Sequence, residues 1–161
     1  MSLHPLRNSA RTRIVLAWLA VVLCVAAIWT LSSDGFSSHE TGRLLRPLLQ
    51  WFWPDISPRM LWAAHVWVRK SAHVLEYAAL ALLACRAIWL TFETSLGRIA
   101  GLALALVLFV AAVDESRQGT MSSRSGSPRD VALDFTGGLA AVGLFLAFRR
   151  GPRSGATAPR A

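Results

Sequence analysis

The chain has 161 residues, enough for about one domain, and 54% of them are apolar while 16% are charged. Soluble globular domains carry roughly 25% charged residues, so this deficit and the mean hydropathy of +0.45 indicate a membrane protein. The net charge of +8 does not indicate nucleic acid, because the basic residues fall at the termini and between apolar runs. No zinc-ligand spacing, phosphate loop or RNA-binding motif is present, and we predict no nucleic-acid partner.

Four apolar segments are each long enough to cross a bilayer. They cover residues 14–31, 71–90, 96–113 and 131–148, close to the roughly 17–25 residues that a membrane-spanning helix needs. A run such as "GLALALVLFVAAV" has no polar face, whereas a helix of a soluble bundle has one. We therefore predict an all-α integral membrane four-helix bundle, with short interfacial helices between the first and second spans.

The first apolar run follows three arginines, as a signal peptide would. It is longer than an h-region of about 7–15 residues, and no cleavage site follows, so we interpret it as an uncleaved first span. The predicted parts are a basic N-terminus (1–13), span one (14–32), an outer aromatic segment (33–69), a core (70–148) with spans at 70–91, 96–116 and 130–148, and a disordered basic tail (149–161).

The outer segment is rich in aromatic residues and proline. Rings with a polar edge favour the headgroup level of a membrane, so we expect interfacial helices, one near 41–52 and one leading into span two. Docking of a partner protein is the alternative interpretation. The aromatic residues are Trp51, Phe52, Trp53, Trp62 and Trp67.

Basic residues in short flanks indicate orientation. Lys and Arg are nearly balanced between the two sides, but both terminal flanks are short and free of acids. The positive-inside rule then places both termini in the cytoplasm. We predict a multi-pass protein of the bacterial cytoplasmic (inner) membrane.

Ionisable residues converge at one end of the predicted bundle. In "RKSAHVLEYAAL", positions 70, 73, 76 and 77 share one helix face at the outer end of span two. Span three ends there with "DESRQ", a serine-rich loop follows, and span four begins there. Ionisable groups inside a membrane face the bundle interior and indicate function by default. The candidate ligand-binding residues are Lys70, His73, Glu76, Tyr77, Asp114, Glu115, Gln118, Arg124, Asp130 and Asp134.

These residue types allow several chemistries. Lys70 and Arg124 could hold a phosphate or carboxylate, and His73 could be a general base oriented by a carboxylate. Glu76 and Asp114 are the further catalytic candidates. The alternative is a structural network of ion pairs that joins the helix ends.

A divalent metal is a further option for this cluster. His73 and Glu76, with Asp114 or Asp134, offer suitable ligand types. Five acids are matched by five nearby bases, whereas a metal site normally has excess negative charge. We therefore predict no metal and no cofactor.

Small residues in "GGLAAVG" of span four allow helices to approach closely. Gly137 and Ala141 form a small-x-x-x-small pair, with Gly138 beside them. We expect this face to pack within the bundle. Homodimerisation is the alternative, and the oligomeric state stays open.

Three motifs together resemble the VanZ-like membrane protein family. "RKSAHVLEYAALALL" is similar to its Lys-x-x-His-x-x-Glu-Tyr pattern, "DESRQ" to its Asp-Glu-x-x-Gln pattern, and "RSGSPRDVALDFTGGLAAVG" to its Arg-rich turn followed by two acids. They stand in family order over about residues 69–148, and they contain all ten candidate residues. Ser122 and Ser123 stand where many members have Pro-Gly, a departure that concerns the shape of the loop.

The resemblance implies a small four-span bundle, and the family's namesake is associated with resistance to the glycopeptide teicoplanin. Some members carry a phosphotransbutyrylase label, but no feature of this chain indicates binding of an acyl-CoA. Our leading hypothesis is an outward-facing polar pocket, without enzymatic turnover, that engages a membrane lipid, an envelope lipid precursor or a glycopeptide. The alternatives are a membrane hydrolase or transferase acting on a lipid phosphate, and a structural protein whose polar cluster only holds the bundle.

Overall fold

The computed structural model describes residues 4–33, 38–121 and 126–150, and in these ranges the regular structure is entirely helical. The helices are α1 (His4–Leu31), α2 (Ser38–Phe52), α3 (Pro58–Thr91), α4 (Leu96–Gln118) and α5 (Pro128–Arg150).

Helices α1, α3, α4 and α5 are long and apolar enough to cross a membrane. They confirm the predicted all-α bundle with four spans, and the chain is a multi-pass membrane protein. Large apolar side chains such as Leu75, Phe109 and Phe148 point away from the bundle, with 67–84% of their surface exposed. Such side chains are stable where lipid surrounds the protein.

Helix α3 is longer than the predicted second span. Its 34 residues extend over roughly 51 Å, against about 30 Å of hydrocarbon core. The helix begins early because Ser57 caps it, accepting a hydrogen bond from the Met60 amide at 3.3 Å, and because Pro58 occupies a first-turn position. The segment that we expected to lead into span two is therefore the first part of α3. Lys70 lies more than three turns inside the helix.

Helix α2 coincides closely with the interfacial helix predicted near 41–52. It has one strongly apolar face and one polar face, and it contacts α3. The indoles of Trp51, Trp62 and Trp67 are 67–76% exposed. The placement of α2 at a membrane interface stays a prediction.

Helix α3 is the centre of the bundle, because it contacts each of the other four helices. Its buried face consists largely of small residues, including Ala81, Ala84 and Cys85, which are fully buried. Small residues let helix backbones approach closely in a membrane.

Two glycines of α5 permit its closest contacts. A Cβ atom on Gly137 would collide with the backbone carbonyl of Val74 in α3, and one on Gly138 would lie 2.8 Å from a methyl carbon of Val107 in α4. Packing within the bundle, as predicted, accounts for this glycine pair. These contacts fix how deeply α5 sits between α3 and α4.

Further contacts join the helices at the opposite end. The Trp18 indole donates a hydrogen bond to the Thr91 hydroxyl at 2.9 Å, and the Arg149 guanidinium lies 4.3 Å from the centre of the Trp89 ring. Helix α5 continues through Arg150, so the first two residues of the predicted tail are helical. The remainder of that tail lies outside the described residues.

Candidate functional site

The polar residues meet where α1 and α4 end and α5 begins, against the middle of α3. This is the convergence that the span count predicts. Helix α3 continues beyond the other spans by about 18 Å before Lys70. The site therefore lies beside a projecting helix, and its members form three groups at different depths.

The outermost group is an exposed ion pair between α3 and α5. The Lys70 Nζ atom lies 3.2 Å from Asp130 Oδ1, and the two side chains are 49% and 36% exposed. Solvent-exposed pairs contribute about 0–1 kcal/mol. This pair marks the rim of the site and contributes little to holding the helices together.

Deeper in the bundle, three helices contribute one residue each. His73 of α3 lies with Nδ1 3.2 Å from Oδ1 of Asp134 in α5, and their side chains are 14% and 0% exposed. Glu115 of α4 completes the group, and one ligand atom from each residue lies within 4.8 Å of the others. We call His73, Glu115 and Asp134 the inner triad.

The start of α5 holds Glu115 in place. The Ser127 amide donates to Glu115 Oε2 at 2.8 Å, and the Gln118 amide group lies 3.3 Å from Oε1. Gly126 allows this arrangement, because a Cβ atom there would collide with the backbone carbonyl of Glu115. The turn before α5 is thus packed directly on the last turn of α4.

The third group surrounds Asp114, which is fully buried. Its Oδ2 accepts from the Ser32 hydroxyl at 2.7 Å and from Gln118 Nε2 at 2.8 Å. Its Oδ1 lies 3.0 Å from an Arg117 nitrogen, which also donates to the Trp29 carbonyl at 2.8 Å. We call Ser32, Asp114, Arg117 and Gln118 the α1–α4 clasp, since these contacts join the ends of those helices.

Three candidate residues belong to none of these groups. Tyr77 is fully buried, and its hydroxyl has no hydrogen-bond partner in the part of the chain that the structure describes. Glu76 is partly buried on the α3 face that carries His73. Arg124 lies outside the described residues.

The geometry groups the candidate residues differently from the metal option weighed on the sequence. We considered Glu76 as the carboxylate partner of His73 in a metal site, but the triad contains Glu115 instead. We also considered Asp114 and Asp134 as equivalent ligands. Of these two, Asp134 contacts His73, while Asp114 lies in the clasp.

Sequence reasoning counted Arg117 only among the nearby bases, and it missed two further members of the network. Ser32 ends the first apolar run and carried no signal beyond its position, and Ser127 belongs to a serine-rich loop that reads as an ordinary loop. Ser127 acts through its backbone amide, so its side-chain identity could not have revealed the contact.

Comparison with known proteins identifies a family. A family model described as VanZ/LLP1 matches residues 14–149, which include most of α1 and the outer segment, although these carry none of the three motifs. No curated protein and no solved structure matches the chain significantly.

Proposed function

We propose that this chain, which belongs to the VanZ/LLP1 family, binds the anionic headgroup of a cell-envelope lipid or lipid-linked precursor at the membrane surface beside α3. The observation that carries the proposal is the graded exposure of the polar site. Lys70 is half-exposed at the rim, His73 is mostly buried below it, and Asp134 is fully buried.

Lys70 is suited to exchange partners. Its pairing with Asp130 is exposed and therefore weak, so a phosphate can compete for the ammonium group. Lys70 binds phosphate as a point charge, and a charge-assisted hydrogen bond contributes about 1.5–3 kcal/mol. Arg124, in the neighbouring loop, is the second candidate for the headgroup by sequence.

The surroundings of Lys70 fit a lipid ligand better than a soluble one. Trp67 lies one turn earlier in α3 with its indole 71% exposed, and Leu75 lies beyond Lys70 with 68% exposed. Indoles favour the headgroup level, and leucine favours the hydrocarbon. A lipid lying along α3 would thus place its headgroup near Lys70.

The proposal agrees with an antibiotic-resistance role in the cytoplasmic membrane of a bacterium, as the family's namesake suggests. Altered handling of an envelope lipid or precursor would change susceptibility to a glycopeptide without any contact with the drug. Direct binding of teicoplanin at the same site is the competing version, and the experiment separates the two.

The test is native mass spectrometry of detergent-purified protein with undecaprenyl phosphate, cardiolipin, phosphatidylcholine and teicoplanin. We expect the two anionic lipids to bind the wild type, and Lys70→Ala to weaken that binding at least about tenfold. Arg98→Ala is the matched control, because it also removes one exposed cation but at the first turn of α4, at the other end of the bundle. Equal lipid binding by both variants would overturn the proposal.

Two other results would replace the proposal of headgroup binding with one of its alternatives. Teicoplanin binding that is lost in Lys70→Ala, without lipid binding, would establish the direct version in place of ours. Release of inorganic phosphate from undecaprenyl phosphate by the wild type but not by His73→Ala would establish a membrane hydrolase.

A further inference from the structure

The net charge of the inner triad differs from the net charge of the whole polar cluster. The sequence pairs five acids with five bases, and the structure pairs two of those bases with acids outside the triad. Lys70 pairs with Asp130, and Arg117 pairs with Asp114. Among the described residues, Glu115 and Asp134 are grouped with the imidazole of His73.

One oxygen of the triad lacks a partner. Asp134 is fully buried, and Oδ1 contacts His73, but Oδ2 has no hydrogen-bond partner among the described residues. A buried carboxylate oxygen without a partner is costly. The buried Tyr77 hydroxyl is also unpartnered, although Asp114, Glu115 and Asp134 all lie within electrostatic range of it. Asp134 Oδ2 can therefore accept a further contact without losing one that it already makes.

We propose that His73, Glu115 and Asp134 bind a divalent transition-metal ion. In the deprotonated form that binds a metal, one neutral imidazole and two carboxylates carry a charge of about −2, which a divalent ion balances. Three helices supply one ligand each, so binding would also tie α3, α4 and α5 together. This proposal does not depend on headgroup binding by Lys70.

The triad is close to the required geometry. Ligand atoms about 2.1 Å from a tetrahedral ion lie about 3.4 Å from one another, against the present limit of 4.8 Å. The largest separation would have to shorten by at most about 1.4 Å. The hydrogen bonds that Ser127 and Gln118 donate to Glu115 resemble the outer-shell contacts that orient metal ligands.

The donor set selects the class of ion. One nitrogen and two oxygen ligands suit Zn²⁺, Co²⁺ or Mn²⁺, whereas Mg²⁺ and Ca²⁺ prefer all-oxygen sites. The usual order of stability predicts that Co²⁺ binds more tightly than Mn²⁺. Three protein ligands leave a fourth position open for a further ligand, as in catalytic zinc sites.

The experiment uses the full-length protein in detergent, stripped with a chelator and then titrated with Zn²⁺, Co²⁺, Mn²⁺ and Mg²⁺. Binding is followed by isothermal titration calorimetry, and Co²⁺ also by its visible absorption. We expect one Zn²⁺ to bind per chain. The visible absorption of bound Co²⁺ should indicate a low coordination number, as in a tetrahedral site. Loss of an outer-shell partner typically weakens metal binding about 10–100-fold. Asp134→Asn and Glu115→Gln each change a direct ligand, so each should weaken Zn²⁺ binding by more than this.

Matched controls remove the same charge far from the triad. Asp55→Asn and Glu93→Gln change exposed acids and should leave Zn²⁺ affinity unchanged. Wild-type protein that binds none of the transition metals would overturn the proposal, whether or not the triad variants fold. Equal losses in the triad variants and the controls would overturn it as well. Neither result bears on lipid binding by Lys70→Ala, so the two proposals fail separately.

Discussion

Replacement of Asp114 by alanine tests the division of the polar cluster into a clasp and a site. Asp114 accepts hydrogen bonds from Ser32 and Gln118 and pairs with Arg117, all at 2.7–3.0 Å and with the carboxylate fully buried. Alanine removes the acceptor of all three donors but leaves the donors in place. The ends of α1 and α4 then lose the contact that joins them.

The size of the effect follows from burial. Removing one partner of a buried ion pair costs about 3–5 kcal/mol, because the other charge stays buried and uncompensated. The Arg117 side chain is 32% exposed and can partly rehydrate. We therefore expect Asp114→Ala to lower the free energy of unfolding by about 3 kcal/mol. Ser32→Ala removes one donor to the same carboxylate and should cost about 1.5–3 kcal/mol.

The assay is reversible unfolding of purified protein in mixed micelles with a denaturing detergent, followed by circular dichroism. Lys70→Ala serves as the reference, because its exposed pair should change the free energy of unfolding by about 0–1 kcal/mol. If Asp114→Ala is no less stable than Lys70→Ala, the clasp does not hold the helix ends together. Asp114 would then belong with the functional residues.

Two other predictions address packing and orientation. Gly137→Ala should destabilise the protein by about 1–3 kcal/mol in the same assay, because the methyl group collides with the Val74 carbonyl, whereas Gly143→Ala, with open space around it, should be neutral or stabilising by up to about 1 kcal/mol. Equal effects of the two substitutions would contradict the close α3–α5 contact. In a background without native cysteines, an impermeant maleimide should label Asp55→Cys in intact cells but Glu93→Cys only after permeabilisation, and the reverse pattern would place the polar site in the cytoplasm.

The helices themselves were largely predictable, and the one clear difference has a local cause. The length and apolarity of the runs predicted four spans, because a helix that crosses a bilayer needs about 20 apolar residues. The start of α3 was not predicted, since residues 58–69 contain polar and aromatic side chains typical of an interfacial segment. The cap at Ser57 and the proline at 58 begin the helix there, and no later residue interrupts it.

The candidate residues were predictable as a set but not as pairs. Helix periodicity assigned His73 and Glu76 to one face, and the number of spans brought α3, α4 and α5 together at one end. Periodicity cannot assign partners across helices, because that depends on how each helix is rotated and how closely it approaches its neighbours. The motifs that resemble the VanZ-like family supplied the set and its order, without the contacts.

The sequence by itself determined the class of the protein, the number of its spans and the end of the bundle at which its charges gather. These properties follow from the lengths of apolar runs and from the parity of the spans, which do not depend on packing. Only the tertiary structure decided that Glu115 joins His73 and Asp134 while Asp114 joins Ser32. The physical reason is the close approach of α5 to α3 at Gly137 and of the Gly126 turn to α4, which brings Asp134 of α5 to His73 and the Ser127 amide to Glu115.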